Sequence, residues 1–193
     1  MKQKIAMLIR IISIPPLMVT YLLTLLYFFH KGVFANEGEF IAALCFLAII
    51  PALAYPVAAI VPALRRGGRP TQRKAAFVFS VIGYIGGFIY GVAAKVSKPV
   101  LTIFAAYLIS LLMLVLFNKV IKIRASGHAC SVTSPIFFAT YYLGLGALLP
   151  AAALYAAIFW ASLVTKRHTA REFLLGTVVC VVSASIAVIV LAA

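Results

Sequence analysis

Apolar runs of about twenty residues follow one another almost end to end, and this limits the chain to very few folds. A helix of that length crosses the roughly 30 Å of hydrocarbon in a bilayer. Seven candidate spans lie near 10–29, 40–62, 75–94, 99–117, 129–146, 148–165 and 173–192. A membrane β-barrel would alternate apolar and polar positions, whereas these runs are apolar on every face. Charged residues make up only 10% of the chain, against about 25% in soluble domains. The expected fold class is all-α: a polytopic membrane helix bundle of six or seven transmembrane helices, forming one integral membrane domain over 1–193.

Local features refine this layout. Pro15-Pro16 divides the first run into an interfacial N-terminal piece and a short span. The N-terminus is basic and then apolar but lacks a small-residue cleavage pattern, so no cleavable signal peptide is expected. Pro51 and Pro56 are expected to bend the second span. Gly83, Gly87 and Gly91 recur every fourth residue in the third, a strip against which another helix can pack closely. Cys45, Cys130 and Cys180 lie in or beside separate spans, with neither metal-ligand spacing nor a disulfide framework.

The net charge of +14 is distributed unevenly. Counting loops by parity, one side gathers most of the Lys and Arg, and the other holds Lys31, Lys95 and Lys98. The positive-inside rule makes the basic side cytoplasmic. These bases are dispersed over short membrane-flanking loops, so nucleic acid is not an expected partner despite a pI near 10.1. The chain has no Asp; Glu37 and Glu39 fall on the sparse side with His30, while Glu172, His128 and His168 fall on the basic side. The positive-inside rule does not account for two histidines and a glutamate there.

Three basic-side segments carry possible chemistry. The first, Arg65 to Lys74, joins several cations to a flexible Gly67-Gly68, and arginine suits bidentate phosphate binding. The second, Lys122 to His128, sets Ser126-Gly127 at a helix N-terminus, where free N–H groups favour an anion; Arg124 lies upstream and His128 is placed to donate a proton. The third runs from Lys166 to Glu172. At a helix start, His168 and Glu172 share a face. The carboxylate then accepts the imidazole Nδ1–H and leaves Nε2 free as base or nucleophile. Taken singly, these segments read equally as topology signals, a helix cap and a surface ion pair. Together on one face they fit phosphate chemistry at a membrane surface.

At this point the residues resemble a known family, the type-2 phosphatidic acid phosphatase superfamily of membrane lipid phosphatases. Its three motifs are Lys-x6-Arg-Pro, Pro-Ser-Gly-His and Ser-Arg-x5-His-x3-Asp. Ala125-Ser126-Gly127-His128 matches the second but for its proline, and His168-x3-Glu172 matches the end of the third with Glu for Asp. Trp160 and Gly176 also fit the look of that region. Arg66 and Arg73 have the spacing of the first, with Lys74 in place of its proline. Ser162 stands where the third motif has its arginine, which in the family helps hold the phosphate. The phosphatase-like core would cover roughly 60–193.

The resemblance implies a mechanism and its residues. His168 attacks phosphorus and becomes a phosphohistidine, Glu172 orients it, and His128 protonates the leaving alcohol. Ser126, Gly127, Arg66 and Arg73 hold the phosphate oxygens, with Arg124, Lys166 and Arg167 as further binding candidates. No metal or other cofactor is implied. The expected activity is hydrolysis of a lipid phosphomonoester or diphosphate of the phosphatidic acid, phosphatidylglycerol phosphate or polyprenyl phosphate type. A lipid-phosphate binder or transporter of the same fold, and a phosphotransferase, stand as alternatives.

Overall fold

The computed structural model describes residues 1–191, apart from the side chain of Arg69. The protein is a polytopic helical membrane bundle. The helices are α1 (Lys2–Ile12), α2 (Pro15–Phe29), α3 (Glu37–Ile60), α4 (Pro62–Arg66), α5 (Gly68–Ala93), α6 (Lys98–Val120), α7 (Gly127–Leu143), α8 (Leu148–Val164) and α9 (Ala170–Leu191). Among the described residues, five helices are long and apolar enough to cross a membrane, or six if α1 and α2 form one broken span.

The proline pair does divide the first run: α1 and α2 meet at 59°. Proline is tolerated at a first helical turn because that turn's N–H has no intrahelical partner. α1 is amphipathic, exposing Ile5, Leu8 and Ile11 while burying Ala6. In α3, a widened π turn over Cys45–Ile49 precedes Pro51, whose missing N–H leaves the helical ladder one donor short.

The expected span 129–146 is shortened. Gly144, at φ +76°, ends α7 at Leu143, and Leu145 to Ala147 form a tight turn leading into α8. Seventeen residues give α7 a length of about 25 Å; α8 has as many and reaches spanning length with the tight turn before it, over Leu145–Val164.

α6 lies at the centre, packed against α9 and α5, while α7 sits between α2, α8 and α9. The core runs through Leu23, Leu26, Leu47, Ile103, Phe104 and Phe138. The glycine strip is a packing surface. A Cβ at Gly83 would strike the Phe46 carbonyl oxygen, and one at Gly87 or Gly91 would lie 3.0 Å from Phe104. α5 thereby approaches α3 and α6 closely.

Polar contacts define the two ends of the bundle. At one end Glu39 accepts N–H groups from Ala35 at 3.0 Å and Ser97 at 2.8 Å. The Tyr142 hydroxyl there reaches the Pro99 carbonyl, and the His30 and Tyr142 rings lie 5.6 Å apart. At the other end Asn118 bonds both ways with the Ala125 backbone, at 3.0 and 3.1 Å. α7 therefore runs antiparallel to α6 from one end to the other. His128, His168 and Glu172 meet at the second end, away from His30, Glu37 and Glu39.

Candidate active site

The first turn of α9 organises the site. Thr169 caps the helix: its Oγ1 accepts the Glu172 N–H at 3.2 Å, and Glu172 Oε2 accepts the Thr169 N–H at 3.3 Å. This reciprocal capping box fixes the carboxylate. The same Oε2 lies 3.3 Å from His168 Nδ1. A carboxylate only accepts, so Nδ1–H donates and Nε2 keeps its lone pair. Glu172 Oε1 pairs with Arg124 Nε at 3.4 Å. His168 and Glu172 side chains are each 17% exposed, whereas that of Arg124 is 76% exposed.

The N-terminus of α7 is joined to this turn through the backbone. The Ser126 N–H donates to the Glu172 carbonyl at 2.9 Å. Ser126 Oγ accepts the Ala129 N–H at 3.2 Å, which leaves its hydroxyl proton as its remaining donor. Gly176 allows the approach, since a Cβ there would run into the Ser126 carbonyl oxygen. Gly127 and His128 begin α7, where helical N–H groups lack intrahelical partners. His128 Nε2 is buried without a hydrogen-bond partner among the described residues.

The end of α8 supplies the third part. Lys166 sits in the left-handed region at φ +50° and donates its N–H to the Leu163 carbonyl at 3.0 Å. The Arg167 N–H donates to the Ser162 carbonyl at 3.2 Å. This pair of bonds is a Schellman closure, with lysine where glycine is usual. It turns the chain so that Arg167 and His168 follow directly. Lys166 and Arg167 line a surface cleft with Thr165, Pro70 and Arg73.

The surroundings of the histidines favour their neutral forms. Burial lowers His168 most; the hydrogen bond and charge of Glu172 oppose this, and Arg10 and Arg73 add to it, leaving a net lowering. His128, which precedes the apolar part of α7, is pushed down to about 3 by burial, then by the charges of Arg10 and His168.

The structure thus gathers His128, His168, Glu172, Ser126, Gly127, Arg73, Lys166 and Arg167 at one end. Arg124 joins through Glu172. Arg66 does not join: it ends α4, exposed, on the far side of the Gly67-Gly68 break from Arg73. Two further residues belong to this end: Thr169, signalled in the sequence by its Thr-x-x-Glu spacing, and Arg10, which has no local signal. Arg10 Nη1 donates to Ser162 Oγ at 3.2 Å, across 152 positions. Comparison with family profiles, curated proteins and solved structures finds no match.

Proposed function

We propose that the protein is a metal-independent lipid phosphate phosphatase, a divergent relative of the type-2 phosphatidic acid phosphatases, working at the basic end of the bundle. The observation that carries the reading is the His168–Glu172 pair, set by a capping box beside a buried His128 and among arginines.

The chemistry follows from these positions. His168 Nε2 attacks phosphorus, forming a P–N bond as the P–O bond to the lipid alcohol breaks. Glu172 holds the imidazole orientation and stabilises the positive charge that develops. His128 gives its proton to the departing alkoxide. Water then attacks the phosphohistidine and passes a proton to His128, returning both histidines to their starting states. Arg73, Arg167 and the N–H groups at the start of α7 stabilise charge on the phosphate oxygens. A dianion bound there also offsets the cationic surroundings of His128 and so favours the protonated form that the first step requires.

The substrate's tail would lie in the bilayer and its head group at the level of these loops. The excess of Lys and Arg at this end supports a cytoplasmic placement. The test is phosphate release from a panel of lipid phosphates by the purified protein without added metal, with His168→Ala alongside. Release by the wild type and none by the variant is expected. No release by either, with lipid phosphate still bound, favours a binder of the same fold.

A further inference from the structure

Among the described residues, Arg10, Arg73 and Arg167 at the basic end have no acidic partner. The chain has three acidic side chains, Glu37, Glu39 and Glu172. The first two belong to the opposite end, and Glu172 is already engaged by Arg124 and His168. Arg10, Arg73 and Arg167 nevertheless converge. Arg10 reaches Ser162 Oγ at 3.2 Å, and the carbonyl of that same serine takes the Arg167 N–H at 3.2 Å. Ser162 is fully buried. It therefore ties the guanidinium of α1 to the turn that presents Arg167 and His168. Arg73 and Arg167 line the same cleft. The charges of Arg10 and Arg73 both act on His168, and that of Arg10 on His128. Cations brought together without a carboxylate repel one another unless an anion sits among them.

We infer that Arg10, carried by the amphipathic N-terminal helix and anchored on Ser162, is a phosphate-binding residue of this site. The assignment rests on the reading of the site as one for lipid phosphates. It gives α1 a functional role, since its packing against α8 brings a ligand for the head group into place. It also accounts for a serine at position 162. The small hydroxyl accepts a guanidinium from another helix and leaves room for it, where a larger side chain would fill the space.

The test uses the full chain in detergent, in a His168→Ala background so that the probe is not turned over. Binding of a short-chain phosphatidic acid is compared with binding of the matching diacylglycerol. Arg10→Gln is expected to weaken phosphatidic acid binding by about tenfold to a hundredfold, as for loss of a charge-assisted hydrogen bond, and to leave diacylglycerol binding unchanged. Arg10→Lys, which keeps the charge and serves if the glutamine variant does not fold, should bind between the two. The inference is overturned if both variants bind phosphatidic acid at full strength. It is also overturned if both lipids are lost equally, or if the parent shows no preference for the phosphate. Phosphate binding that depends on Arg10, in a protein whose wild type releases no phosphate, would refute the phosphatase reading and leave this assignment standing.

Discussion

The carbonyl of Glu172 accepts the backbone N–H of Ser126 at 2.9 Å. One residue thus orients the proposed nucleophile through its side chain and fixes the helix bearing the proposed acid through its backbone. Mutation of the side chain separates these tasks, because the backbone bond survives it.

Glu172→Gln keeps an oxygen to accept from Thr169 but no longer fixes the His168 tautomer. Phosphate release should fall by about a hundredfold or more. Stability should change by less than about 1 kcal/mol, since the Arg124 pair is largely exposed. Steady-state kinetics and thermal unfolding in detergent, run in parallel, check the split.

The lowered His128 makes stability depend on pH. Its folded value, about 3, lies below the ordinary 6.5. The unfolded chain therefore takes up the proton first on acidification, and stability present above pH 6.5 is lost as pH falls below it. The melting temperature should drop between pH 7 and pH 5, and His128→Gln should flatten most of that slope. A wild-type curve that is flat over this range contradicts the assigned burial.

Lys166 holds a backbone conformation that costs a non-glycine residue about 1 kcal/mol. Lys166→Gly should raise stability by about that amount while weakening binding of lipid phosphate, because it removes a cation from the cleft. A variant stabilised with unchanged affinity would remove Lys166 from the site.

Arg66 and Arg73 share a motif spacing yet have different surroundings. Arg73→Ala should raise KM for a lipid phosphate about tenfold or more, whereas Arg66→Ala should leave kinetics near wild type. Equal losses from both variants would contradict the placement of Arg66 outside the cleft.

Much of this was legible in the sequence because it is local. The i,i+4 spacing of His168 and Glu172 gives their contact, and the four-residue glycine period gives the α5 packing face. The apolar runs give the bundle itself. The rest depends on the path of the chain. Gly144 shortened a span through a single positive φ, which composition does not reveal. Arg66 and Arg73 fit a spacing, but the break at Gly67-Gly68 cancels the periodicity that would have put them together. The Arg10–Ser162 contact joins helices far apart in sequence, so no window along the chain contains it.

The central claim is that His168 carries the phosphoryl group. Its most direct test is to mix the purified protein with a lipid phosphate bearing a radiolabelled phosphoryl group, quench rapidly, and search for label on the protein. The account predicts an acid-labile, base-stable phosphoryl adduct on His168 that is absent from His168→Ala. Phosphate release at an undiminished rate by His168→Ala, with no label on the wild type, would contradict it.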